Sequence, residues 1–345
     1  MSDMSLKMPL IHVRGSAAEI GYQHGRQLRR RVQACYSFYT EKLIVNRQID
    51  LEAYGNRFLN TIHAHFPRYA TEMEHLARGA HMHAWQVAVL NARTELFVKT
   101  MSTLVGECTT CFFRKEGLLG ENWDWMLECE DLIALMQIER EDGHKILMIV
   151  EPGIIGKIGL NSAGLGVGLN ILHGTEFDVG VPVHVLLRAA LDADSLEDAR
   201  AAIDGVPTCT FSNVLITDDR GNYLDYEFMG SRHRLVNYGQ ATPVHTNHYL
   251  SEERDEQDNP MYRSSLQRMR RVCTLNDMMP GESLQKMKAI LLERENGEEA
   301  ICADFHPQFH YRVGTVSSMI MDLPKRRMWV TKGSPIRYDY QEHRL

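Results

Sequence analysis

Hydrophobic positions in the first hundred residues recur with a helical period. Leu28, Val32, Cys35, Tyr39 and Leu43 fall at spacings of three or four, one face of a long helix. Ahead of them Ser16-Ala17-Ala18-Glu19 has the form of a capping box, a hydroxyl and a carboxylate placed to satisfy the first free amides of a helix. Further helices are predicted from about Leu51 to Phe66, around Tyr69 to Ala80 and from Trp85 to about Val98, with no strand before residue 105. After Gly106 the period shortens. Cys108 to Arg114, Leu132 to Ile138, Lys145 to Glu151, Phe211 to Thr217 and Tyr223 to Phe228 are short runs rich in β-branched, aromatic or alternating apolar residues. Glu141-Asp142-Gly143 and Asp218-Asp219-Arg220-Gly221-Asn222 carry turn chemistry that joins strand pairs into hairpins. Helices are predicted at Pro182 to Leu191, Ser195 to Ile203, Tyr262 to Leu275 and Ser283 to Leu292, and strands at Val313 to Met321 and Arg327 to Thr331. The pattern describes a helical prologue followed by an α+β body with antiparallel hairpins.

Composition narrows the function classes. The 345 residues are 44% apolar, enough for a large core, and 45 acidic against 38 basic residues leave no basic footprint for nucleic acid. The longest purely aliphatic stretch, Ile146 to Val150, is far short of the ~18–20 residues of a membrane span. No partner of either kind is expected. Seven cysteines suggest no disulfide framework, and Met1 to Leu10 lacks the basic and apolar blocks of a secretory signal. Reduced thiols and a cytoplasmic location are the expectation.

Several constellations invite chemistry and most decline it. Gly153, Gly156, Gly159, Gly164, Gly166 and Gly168 match neither the dinucleotide nor the P-loop spacing, so turns and close strand approach explain them. Sixteen histidines include the close pairs His63/His65, His81/His83, His245/His248 and His306/His310, but without a zinc-binding helix motif. Cys108 and Cys111 stand inside a predicted strand, where they face opposite sides, a poor geometry for a shared disulfide. No metal or cofactor is expected. Cys108 remains, either as inert packing or as a nucleophile. If the peptide bond before it is cut, the new α-amine belongs to the same residue as the thiol. Such an amine titrates near ~7.7–8.0, well matched to general-base work.

Six stretches in order then carry a resemblance. They are Glu107-Cys108-Thr109-Thr110, Gly120-Glu121-Asn122-Trp123-Asp124-Trp125, the run from Gly156 to Asn170, His245-Thr246-Asn247-His248, Ser265-Leu266-Gln267-Arg268 with Arg271, and Thr315 to Asp322. Together they resemble the acyl-coenzyme A:6-aminopenicillanic acid acyltransferase family, autoprocessed cysteine N-terminal nucleophile hydrolases related to the choloylglycine hydrolases. The resemblance covers nearly the whole chain, prologue included.

It implies a four-layer αββα sandwich of two antiparallel sheets, preceded by a helical segment. It also implies a cut between Glu107 and Cys108, giving a helical α chain of residues 1–107 and a catalytic β chain of residues 108–345 that stay associated. Cys108 would be the nucleophile and Asp124 the carboxylate that orients its amine. The side chain of Asn247 and the backbone N–H of Asn170 would be the oxyanion donors. Arg268 would be the site arginine, with Arg263 and Arg271 as alternatives one slip away. Trp123 and Trp125 would line an acyl or aromatic pocket, or else pack in the core. The implied substrate is a small N-acyl compound, with acyl-coenzyme A as a possible acyl donor, hydrolysed or passed to an amine. An uncut, non-catalytic ligand-binding protein on the same scaffold is the alternative. Two departures matter. Glu121 stands where bile-salt hydrolases carry arginine, which counts against a bile-salt substrate. Glu107 replaces the glycine that precedes the penicillin acyltransferase nucleophile, and its side chain restricts strained backbone, so processing is expected to be slower or absent.

Overall fold

A computed structural model describes residues 8–43, 49–100, 108–174, 179–239, 241–252, 260–281, 283–295, 297–303, 306–308 and 311–345. Glu107 therefore lies outside the described residues.

The capping box forms as the sequence predicts. Ser16 Oγ accepts from the Glu19 amide, and the Glu19 carboxylate accepts from the Ser16 amide at 2.9 Å, opening α1 (Ala17–Gln27). The long helix does not continue through Leu28, whose φ of −110° and ψ of 18° leave helical geometry. α2 (Arg29–Ser37) restarts it, and a π-helical turn over Phe38–Leu43 extends it. Leu28, Val32, Cys35 and Tyr39 are buried, as their spacing requires, while the Leu43 side chain lies outside the described residues. α3 (Leu51–His65), α4 (Pro67–Ala80), α5 (Ala84–Asn91) and α6 (Arg93–Thr100) complete the prologue.

A strand precedes these helices, against the expectation of none. β1 (Leu10–Gly15) alternates exposed and buried positions and pairs in parallel with β4 (Ala134–Arg140). The larger sheet then runs from β4 to β5 (Lys145–Val150), β6 (Gly159–Asn161), β7 (Gly166–Ile171), β8 (Ser212–Thr217), β9 (Tyr223–Met229) and β10 (Arg232–Leu235), all antiparallel. The smaller sheet runs β11 (Val244–His245), β2 (Thr109–Phe113), β3 (Leu118–Met126), β13 (Tyr311–Asp322), β14 (Arg327–Val330) and β15 (Gln341–Arg344), with β12 (His306–Gln308) also on β13. Both predicted hairpins are present, β4 with β5 and β8 with β9.

The two sheets meet face to face through β2, β3 and β7. α7 (Val183–Asp192) and α8 (Leu196–Asp204) cover the larger sheet, and α9 (Pro260–Met278) and α10 (Leu284–Leu291) cover the smaller one. Ser195 and Ser283 cap α8 and α10. The result is four layers, αββα. A Cβ on Gly156 would lie 2.3 Å from the His184 carbonyl oxygen of α7. Close packing, as the sequence suggests, is therefore what this glycine serves. No helix among the described residues is long and apolar enough to cross a membrane.

The prologue and the body share one interior. Trp125 Nε1 donates to Tyr39 Oη at 2.9 Å, and Tyr39 donates to Glu151. Arg93 and Lys157 each reach Glu151 Oε2 at 2.5 Å, all three side chains essentially inaccessible. Burial alone would raise the Glu151 carboxyl, but these two cations hold it well below the usual carboxylate range. Arg188 Nη1 pairs with Glu72 at 2.7 Å, and the Asn91 amide bridges the Gly153 carbonyl and the Ile155 N–H, each at 2.9 Å. Paired charges of this kind are costly to separate.

Candidate active site

Cys108 immediately precedes β2 and is 1% exposed. Extending the β2–β3 register of Thr109 opposite Asn122 sets Cys108 opposite Trp123 and next to Asp124. Its thiol lies 3.7 Å from the Asp124 carbonyl oxygen. Burial raises the thiol far above its ordinary value, and the nearby carboxyls of Glu121 and Asp124 push the same way against the weaker pull of Arg268. In the continuous chain the thiol is therefore protonated. Cys111 points to the other side of the sheet, its sulfur 3.2 Å from Met287 Sδ under α10, so the opposed orientation read from the strand is observed.

Arg268, itself 1% exposed, joins the other pieces. One terminal nitrogen donates to the Cys108 carbonyl oxygen at 2.7 Å and to Thr109 Oγ1 at 2.9 Å, and the other donates to Asn247 Oδ1 at 3.0 Å. That contact orients the amide. With Oδ1 held by a cation, Nδ2 faces away and donates to the Ile171 carbonyl oxygen at 2.9 Å. One of its two hydrogens is left for another acceptor. Ser265, one helical turn before Arg268 on α9, accepts from the Asn247 backbone N–H at 2.7 Å. The Ser-x-x-Arg spacing thus grips Asn247 at backbone and side chain together. Of the alternatives, Arg271 pairs with Glu293 and Glu295, and Arg263 is exposed.

Asp124 lies inside β3, fully buried and opposite Thr315 of β13, rather than in a turn. Glu121 on the same strand is the group whose place the sequence does not disclose. Its Oε2 accepts from the Leu169 N–H at 3.1 Å and Thr110 bonds it too, while burial holds the carboxyl well above its usual range. A Cβ on Gly168 would meet this oxygen and Thr110 Cγ2 at 2.8 Å, so the glycine admits Glu121 between the sheets.

Asn170 reaches the smaller sheet through its side chain. The Leu172 N–H donates to the Phe211 carbonyl of the neighbouring chain segment, and Asn170 stands opposite Asn213 in the same register. Amides two residues apart in an antiparallel ladder face the same way, so the Asn170 N–H turns toward β8. Its side chain crosses to the smaller sheet instead, donating to Thr110 Oγ1 at 3.0 Å and to Asn213 Oδ1 at 2.9 Å. Trp123 and Trp125 are core residues. Lys157 Nζ sits 3.6 Å over the Trp123 ring, and Trp125 is enclosed by Tyr39, Phe97 and Arg93.

Comparison with known proteins follows the same lines. The model of the acyl-coenzyme A:6-aminopenicillanic acid acyl-transferase family matches residues 113–337, a span that holds Asp124, Asn170, Asn247 and Arg268 and starts just after Cys108. The 40 kDa form of acyl-coenzyme A:6-aminopenicillanic-acid-acyltransferase from Emericella nidulans is 30% identical over 251 residues, covering 70% of each chain. Among solved structures, a mutant conjugated bile acid hydrolase from Clostridium perfringens superposes with a TM-score of 0.50 at 14% identity, covering 69% of this chain and 92% of that one.

Proposed function

Since the chain belongs to the acyl-coenzyme A:6-aminopenicillanic acid acyl-transferase family, and has the N-terminal nucleophile hydrolase fold, we propose that Cys108 becomes an N-terminal nucleophile after self-cleavage. The observation that carries this reading is Arg268 bridging the Cys108 carbonyl and the Asn247 amide oxygen.

In the first step the Cys108 sulfur attacks the Glu107 carbonyl carbon, the C–N bond breaks, and a thioester forms with a free α-amine. Water then cleaves the thioester, leaving a Glu107 carboxylate and the Cys108 thiol. Residues 1–107 stay bound to residues 108–345 through the buried contacts of Glu151, Tyr39, Arg188 and Asn91. In turnover the α-amine takes the thiol proton, and the thiolate attacks the carbonyl of a small N-acyl compound or of an acyl-coenzyme A thioester. The second Asn247 Nδ2 hydrogen meets the developing oxyanion, as a preorganised donor. Asp124 orients the amine, which returns its proton to the leaving group. Water or an amine then releases the acyl group. Glu121, where an arginine would serve a bile-salt hydrolase, argues for a different acyl compound.

Stoichiometric alkylation tests the nucleophile. Cys273 is exposed, so the assay belongs in a Cys273→Ser background. Iodoacetamide should then add one label per native chain, at Cys108, and Cys108→Ser should abolish it. A native protein that takes up no label at Cys108 would remove the thiol from the mechanism.

A further inference from the structure

One carboxylate that takes no part in these steps governs the loop that carries Asn247. Glu227 stands on β9 of the larger sheet, fully buried, and reaches His245 on β11 of the smaller sheet. Its Oε1 accepts from His245 Nε2 at 2.8 Å and from the Leu250 N–H at 2.5 Å. Its Oε2 accepts from the Ser251 N–H at 3.0 Å and from the Ser251 hydroxyl. One carboxylate thus binds both ends of residues 245–251, with Asn247 between them. The other His245 nitrogen faces the Thr246 carbonyl oxygen at 2.8 Å. Two acceptors on one imidazole call for a hydrogen on each nitrogen, so His245 is the cation that matches Glu227.

We propose that Glu227 is a positioning residue, its carboxylate clamping both ends of the Asn247 loop so that the amide is aimed at the reacting carbonyl. The inference rests on Asn247 acting as an oxyanion donor. Ser265 and Arg268 hold Asn247 from the α9 side, and Glu227 fixes the same loop to the opposite sheet. The spacing of the two sheets then sets where the amide lies. Asp225, held by Asn213 and Tyr238, is the second carboxylate near His245, and His248, bonded to Ser265, is the second imidazole near it. Burial would raise the Glu227 carboxyl, but the hydrogen bonds from His245 and the loop bring it down to about 2. The clamp is therefore charged at neutral pH.

Glu227→Gln tests this while keeping the side chain's shape. It replaces one oxygen by an NH₂ that must face either His245 and the Leu250 amide or the Ser251 amide, donor against donor. Two reagents separate aim from access in the mature Cys273→Ser protein. p-Nitrophenyl acetate acylates Cys108 through a tetrahedral oxyanion, whereas iodoacetamide forms its S–C bond by displacing iodide and needs no oxyanion donor. Glu227→Gln should slow acylation about ten- to a hundredfold, the scale of a small misplacement of a reacting group, with alkylation unchanged. Unchanged acylation, or equal slowing of both reactions, would overturn the clamp. Failure of the parent protein to react with either reagent at Cys108 would instead overturn the nucleophile reading beneath it. Should Glu227→Gln not fold or mature, Ser251→Ala removes one hydroxyl donor. It should slow acylation alone by about three- to tenfold, and equal rates would overturn the proposal.

Discussion

Cys108→Ala should yield a single 39.5 kDa chain with no acyl turnover. In the proposed mechanism the one substitution removes the atom that attacks Glu107 during processing and that carries the acyl group afterwards. Among the described residues, the other thiol of the same segment cannot replace it. Cys111 faces the opposite side of the sheet, with its sulfur against Met287. The fold should survive, because removing one buried sulfur costs about 1 kcal/mol, comparable with a buried methylene. Denaturing electrophoresis and circular dichroism on the same sample separate loss of cutting from loss of folding. A folded Cys108→Ala protein that is still cut before residue 108 would require another nucleophile.

Asn247→Ala should lower kcat by about 10²–10³, or ~3 kcal/mol of transition-state stabilisation, with KM little changed. The lost group is a donor that acts when charge develops on the substrate oxygen, so ground-state binding is nearly spared. The structure adds a smaller structural cost. The amide also bonds the Ile171 carbonyl and accepts from Arg268, which keeps the Cys108 carbonyl and Thr109 as partners. A modest fall in Tm is therefore expected beside the large fall in kcat. Were Asn247 only a brace for its loop, the order would reverse, with a large drop in Tm and kcat retained. Paired kcat and Tm measurements on a hydrolysed N-acyl substrate distinguish the two.

What the sequence revealed, and what it hid, follows from how far each signal reaches along the chain. The capping box at Ser16 and the hairpins at Asp142-Gly143 and Gly221-Asn222 are local chemistry, and all are observed. β1 escaped because its partner, β4, lies over a hundred residues away and a six-residue alternation carries little weight alone. β3 escaped for another reason. All nine of its residues are buried, so the alternation that marks a half-exposed strand is erased, and polar Glu121, Asn122 and Asp124 look like a turn. The candidate residues Cys108, Asp124, Asn247 and Arg268 came from motif resemblance, and the structure brings them together. Glu121 and Glu227 show a limit, since their meaning lies in contacts across two sheets that no spacing encodes.

In the proposed function this chain matures by cutting itself before Cys108. An intact-mass spectrum of the purified wild-type protein under denaturing conditions tests it most directly. Two species of about 12 and 27 kDa are expected, in proportion to 107 and 238 of the 345 residues of a 39.5 kDa chain, the larger beginning at Cys108. A single species at full mass after prolonged incubation, with Cys108 still in peptide linkage to Glu107, would contradict it.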